Sequence, residues 1–192
     1  MKHTYRMGPF EDPPVAKFLF GSPKMAPLWL IARVYVGWAW LQAGWGKINN
    51  PAWTGADTGK SLTGFLKGAL AKTEGAHPDV QQWYAWFIEN IVLPNASTWS
   101  VMIAWGEFLV GLALILGLFT GIAAFFGAFM NLNFLFAGAV STNPLLFTLS
   151  IGLVLAWKVA GFWGLDSIVL PLLGTPWSPG YVFSPKQNKN GD

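Results

Sequence analysis

A single glutamate interrupts the run IAWGEFLVGLALILG, Ile103 to Gly117, in which every other residue is apolar or glycine. A carboxyl inside such a helix costs about 2.5–3.5 kcal/mol on membrane-insertion scales. Glu107 therefore needs a compensating partner and is the first candidate for proton chemistry. Upstream, Arg33, Gly37, Trp40, Gly44 and Lys47 recur at spacings of four, three, four and three, which places all five on one helix face. Downstream, Ala124, Ala128, Asn131, Leu135 and Gly138 form a second stripe, followed by Lys158 and Asp166. Depth counted at about 1.5 Å per residue puts Arg33 and Lys158 in one half of a membrane and Glu107 and Asn131 near its middle. Glu107 is then expected to face Arg33, Lys158 or both.

Two chemistries fit these residue types. One is a polar pocket between helices with one positive charge to spare, suited to an anion or a quinone carbonyl. Glu107 would there be the catalytic proton carrier, with Arg33, Lys47, Asn131 and Lys158 holding substrate or quinone. The other is a buried ion pair that fixes helix register, with Lys158 snorkelling to the headgroups and Lys47 anchoring beside tryptophans at the interface. Asp166 is expected to mark the cytoplasmic boundary of the last helix.

The elements that must position these residues are membrane helices. The chain is 53% hydrophobic and 11% charged, with 12 Trp and 15 Phe, whereas a soluble domain carries about 25% charged residues. Four apolar stretches of bilayer-crossing length are expected at 28–48, 99–118, 121–141 and 145–165. Their short connections, GLFTG and STNP, force antiparallel neighbours. The fold class expected is an all-α membrane protein, an antiparallel four-transmembrane-helix bundle over 28–170. A polar, Pro-rich arm (1–27) precedes it and a tail (171–192) follows. Basic residues in both arms place the termini in the cytoplasm of a multi-pass cell-membrane protein, and the loop 49–98 outside. Within that loop, Trp83, Trp86, Phe87 and Ile91 have helical spacing, with Pro78 as a first-turn residue and Pro94 as a stop. This reads as an amphipathic helix lying at the membrane surface. The stretch GADTGKS has the wrong spacing for a phosphate loop. The net charge of +3 reflects loop bias and gives no case for nucleic acid.

Cysteine is absent, and the two histidines, His3 and His77, lie outside every expected span. Thiolate ligation, haem between two intramembrane histidines and a metal site are all unexpected on that residue inventory. No covalently bound or metal-ligated cofactor is expected, and quinone enters as a co-substrate. Redox chemistry would then need substrates that react directly, or a partner that carries the cofactor.

The stretches WLQAGWGKINNPAWTG, WGEFLVGLALILGLFTGIAAFFGAFMNLNFLFAG, STNP and WKVAGFWGLD followed by LGTPW resemble the DoxX/DoxD family of small four-helix membrane proteins. The likeness covers roughly 29–179 and is similar in particular to the DoxD-type large subunit of thiosulfate:quinone oxidoreductase. That resemblance implies oxidation of thiosulfate to tetrathionate with electrons passed to membrane quinone, and a further membrane or periplasmic subunit as partner. The family's charged positions fall here on Arg33, Lys47, Glu107 and Asp166, with Asn131 in the third helix. Two readings stay open: an enzyme subunit of that kind, or a non-catalytic accessory or assembly subunit of a larger respiratory or photosynthetic membrane complex.

Overall fold

A computed structural model describes residues 12–173, and the architecture there is all-helical. The first helix, α1 (Pro14–Gly21), falls in the polar, Pro-rich arm. Leu19 and Phe20 pack on the main core, and Trp29 Nε1 donates to the Leu19 carbonyl at 2.7 Å. A 3-10 turn at Pro23–Met25 leads into α2 (Ala26–Ile48), 23 residues long, whose buried set includes Arg33, Gly37, Trp40 and Gly44. Of the expected five-residue face only Lys47 keeps solvent contact, at 20%.

The segment 49–98 is more structured than its sequence advertises. It holds α3 (Pro51–Thr54), α4 (Lys60–Leu70) and α5 (Gln82–Phe87). Leu62, Leu66 and Ala69 give α4 a buried stripe at i, i+4, i+7, and Gly59, at φ 92, turns the chain into it. Pro78 lies outside α5 rather than in its first turn. Pro94 does not stop the helix either. Ile88–Val92 forms a π-turn and Leu93–Asn95 a 3-10 turn, and the wider and tighter turns absorb the missing proline N–H. Asn95 Nδ2 caps the Ile91 carbonyl at 3.1 Å. Helix α6 (Ala96–Leu116) continues from there. Tyr84, Ile88 and Val92 pack inward with Leu62, Leu66 and Ala137. Trp83 and Trp86 are exposed.

The remaining helices are α7 (Thr120–Phe136), α8 (Asn143–Leu155), α9 (Trp157–Ala160) and α10 (Asp166–Leu173). The fourth expected span, 145–165, is thus broken at Ala156. Among the described residues one helical stretch, Gln82–Leu116, is long and apolar enough to cross a bilayer, and Thr120–Phe136 and Asn143–Leu155 are apolar but shorter. At about 1.5 Å per residue the last two reach roughly 25 and 20 Å, against a hydrocarbon core near 30 Å. The tail from residue 174 and the arm before residue 12 lie outside the described residues.

The tightest seam joins α2 to α6. A Cβ on Gly44 would fall inside 3.0 Å of the Phe108 and Glu107 backbone, and one on Gly111 inside 3.0 Å of the Leu41 backbone and the Gly37 carbonyl. Small residues at helical spacing let the two backbones touch. The seam runs antiparallel, Gly37 against Leu114 and Ile115, Gly44 against Phe108. Gly111→Val is expected to cost about 3 kcal/mol, the upper end of overpacking penalties, because only backbone stands in the way. A melting temperature in detergent within a degree or two of the parent would contradict this seam.

Candidate functional site

The seam sets where the charges meet. With Gly44 against Phe108, the next turn of α2 carries Lys47 back over Glu107. Lys47 Nζ donates to a Glu107 carboxylate oxygen at 2.5 Å, and Glu107 is 1% exposed. The same ammonium lies 5.1 Å from the Trp53 ring centroid, a cation–π contact that adds to its restraint. The expected pairing of Glu107 with Arg33 or Lys158 is therefore corrected. The Glu107 partner is Lys47, expected either to hold substrate or quinone or to anchor at the interface.

The ion pair forms one wall of a cavity of about 330 Å³. Ala39, Trp40 and Ala43 of α2, Phe134 of α7, and Asn143 and Leu146 of α8 line it, with Ala139 and Thr142 from the α7–α8 turn. Trp53 and Phe65 complete it from α3 and α4. Trp40 stacks on Phe134 at 6.3 Å, and Phe65 meets Phe134 edge-on at 6.0 Å. The α3 roof and the turn after it are tied down by three hydrogen bonds. Ser100 Oγ donates to the Trp53 carbonyl at 2.7 Å, Thr54 Oγ1 to the Ile48 carbonyl at 2.7 Å, and Ser97 Oγ to the Thr58 carbonyl at 3.1 Å. Flat aromatic walls with one charged donor and one carboxylate can grip a planar, carbonyl-bearing headgroup and exchange a proton with it. Trp53, Phe65, Thr142 and Asn143 escaped the sequence reading. Phe65 had a usable signal, since it sits on the same amphipathic helix as Leu62 and Leu66.

Arg33 lies at the other end of α2 and serves a different cluster. It is 2% exposed, and its Nη2 donates to the Trp163 carbonyl at 3.0 Å, while Nε and Nη1 have no hydrogen-bond partner. The guanidinium fits against Gly117 and Gly164 and interacts electrostatically with Asp166. Gly117 sits at φ 65, and a Cβ there would collide with Arg33. Asp166 is 2% exposed rather than a free boundary residue. Its two oxygens accept from the Phe119 and Thr120 N–H groups at 2.6 and 2.9 Å, which caps α7. The Leu165 and Asp166 N–H groups donate to the Leu116 and Gly117 carbonyls. Beyond the break at Ala156 the chain thus returns to the α6–α7 turn.

Lys158 is exposed and rests over Trp157 at 5.3 Å, away from both clusters. Asn131 is fully buried, and neither side-chain atom has a hydrogen-bond partner. The contacts of Trp40 with Gly127 and Phe134 bracket it on one face of α7. Asn133, on another face, accepts from the Tyr84 hydroxyl. The expected surplus of positive charge also changes: Lys47 faces Glu107, Arg33 faces Asp166, and Lys158 is outside.

Residues 28–139, more than half of the chain, match the model of the DoxX family. No curated protein and no solved structure matches.

Proposed function

The chain belongs to the DoxX family, and from that premise we propose that its Lys47–Glu107 cavity receives the headgroup of a membrane quinone, in the membrane subunit of a thiosulfate:quinone oxidoreductase. The observation that carries this reading is the cavity itself: about 330 Å³, aromatic-walled, with an ammonium and a carboxylate at its wall. That volume is at the lower end of the usual ligand-pocket range of about 300–1,000 Å³. In the reaction, two thiosulfate anions each lose one electron and join through a new S–S bond as tetrathionate. The quinone takes up the two electrons and two protons to become quinol. Lys47 donates a hydrogen bond to a quinone carbonyl and passes its ammonium proton to that oxygen once it is reduced. Water on the exposed side of Lys47 replaces that proton and supplies the second, which Glu107, ionised while paired, takes up and hands to the other oxygen. Thiosulfate oxidation falls to a partner subunit at the water-facing side, because Arg33 is buried at the far end and Lys47 is already neutralised.

Glu107→Gln keeps the shape of the side chain and cannot ionise. It is expected to fold and to lose quinone-linked turnover about 10²-fold, the lower range for general acid–base groups. One observation favours a second reading, an accessory or assembly subunit of a larger respiratory or photosynthetic complex: the pair is neutral, as a register lock between helices would be. Unchanged turnover in Glu107→Gln, with stable copurification in a large assembly, would establish that alternative.

The family and the apolar helices make this a membrane protein. We propose four passes through the cell membrane, by α2, α6, α7 and α8 with α9, and termini in the cytoplasm. Outward-facing Ile31, Trp38, Leu109, Ile122, Phe125 and Phe129 are all more than half exposed, which suits lipid contact. Irregular backbone is acceptable at membrane depth only where protein covers and satisfies it, as Arg33, Leu116 and Gly117 do for Trp163, Leu165 and Asp166. The chain has no cysteine, so single cysteines report cleanly. Lys24→Cys and Lys67→Cys should label from opposite faces of sealed vesicles; labelling from one face would refute the four-pass arrangement.

A further inference from the structure

We infer that one ordered water is bound by Trp40, Asn131 and Ser150, and that Asn131 fixes the Trp40 ring through it. The inference does not depend on what the cavity receives. It makes Asn131 a positioning residue rather than a contact of the ligand.

Three side chains, one each from α2, α7 and α8, are buried with polar atoms that have no hydrogen-bond partner within the protein. They are the Trp40 indole N–H, both ends of the Asn131 amide and the Ser150 hydroxyl. Trp40 brackets Asn131 along one stripe of α7. Its Nε1 would lie 3.0 Å from a Cβ on Gly127, a turn before Asn131, and its ring stacks on Phe134, a turn after. Helical side chains tilt toward the helix N-terminus, so the Asn131 amide leans toward Gly127 and the pyrrole edge of the indole. Ser150 comes to the same level from α8. Helices α7 and α8 pack against each other and run antiparallel from their short turn. Asn131 stands five residues before the end of α7 at Phe136, and Ser150 seven after the start of α8 at Asn143. At about 1.5 Å per residue their depths differ by roughly 3 Å. An indole N–H only donates, whereas an amide and a hydroxyl offer both functions. Such atoms are costly to bury unpaired. One water can accept from Trp40, donate to the Asn131 carbonyl oxygen and bond to Ser150, and three partners are usual for a buried water. Trp40 lines the cavity and Asn131 does not, so the water ties a cavity wall to α7 and α8.

The test uses purified full-length protein in detergent micelles, deuterated and carrying 15N-tryptophan. Trp40→Phe identifies the Trp40 indole signal among those of the 12 tryptophans. In the parent that N–H should show a nuclear Overhauser effect to water. Asn131→Leu, close in shape, should abolish the effect, shift the indole signal upfield and lower the melting temperature by several degrees. Ser150→Ala should roughly halve the effect, and the double variant should melt close to Asn131→Leu alone, because both changes empty one site. Asn131→Thr keeps a polar atom and should retain part of the effect. If Asn131→Leu fails to fold, Ser150→Ala and Asn131→Thr still decide the matter. A higher melting temperature in Asn131→Leu, the result for a buried amide that has no partner to lose, overturns the proposal. So do additive losses in the double variant, an indole signal that ignores Ser150→Ala, or a parent indole with no effect from water.

Discussion

Lys47→Met is expected to lower stability by roughly 3–5 kcal/mol, the usual cost of stranding one member of a buried ion pair. Glu107 is 1% exposed and its bond to Lys47 Nζ is 2.5 Å long. Without the ammonium, the carboxylate must stay charged in an apolar site or take up a proton. The two partners are not equivalent. Lys47 is 20% exposed and sits over Trp53, so in Glu107→Gln the lysine can reach water, and the loss should be about half as large. The double variant Lys47→Met with Glu107→Gln should recover a large part of the single loss, because no uncompensated charge remains. Chemical or thermal unfolding in detergent gives the cycle directly. Arg33→Met serves as the contrast, since it should show no coupling to Glu107. Additive losses at Lys47 and Glu107, or coupling of Glu107 to Arg33, would overturn the pairing and the cavity wall built from it.

Asp166→Ala should be comparably damaging, at about 3–5 kcal/mol for the lost counter-charge of a buried cation, with roughly 1 kcal/mol more for the lost helix cap. Its oxygens hold the Phe119 and Thr120 N–H groups. Phe119 lies at φ 47, a left-handed conformation that a bulky residue adopts only when held there. The same carboxylate is the charge that faces Arg33. Asp166→Asn keeps one acceptor and no charge, and should fall between the parent and the alanine variant. Hydrogen exchange follows the cap and a double-mutant cycle follows the charge: Asp166→Ala should speed exchange of both the Phe119 and Thr120 amides, Asp166→Asn of one of them, and both variants, having lost the charge, should couple to Arg33→Met. Melting and exchange identical to the parent in Asp166→Ala would refute the latch.

Much of this protein was legible in its residues, because burial periodicity is a local property. The four-three-four-three spacing placed Arg33, Gly37, Trp40, Gly44 and Lys47 on one face, and the structure buries that face with only Lys47 partly open. The glycines at 37 and 44 signalled a close approach, which α6 makes. The low charge and long apolar runs indicated the membrane class, and Asn131 was placed on a stripe with Ala124 and Ala128, which the structure buries. Helix α4 was also present in the sequence as Leu62, Leu66 and Ala69, but the glycines and polar residues around it made the segment read as loop.

Periodicity gives the direction in which a side chain points, and it says nothing about how far one helix slides along another. The depth count treated the helices as flush. In the structure α6 extends past the end of α2, since Gly44, near one end of α2, lies against Phe108 in the interior of α6. That axial offset is set by where the glycine gaps interlock, and it brings Lys47, rather than Arg33 or Lys158, onto Glu107. In the same way, Asp166 became a cap because the chain after Ala156 folds back onto the α6–α7 turn. A return of that kind depends on contacts between residues more than forty positions apart. The sequence by itself determined the helices, their apolar faces and the inventory of charges. Only the tertiary structure decided which charges meet, because that depends on the register between elements.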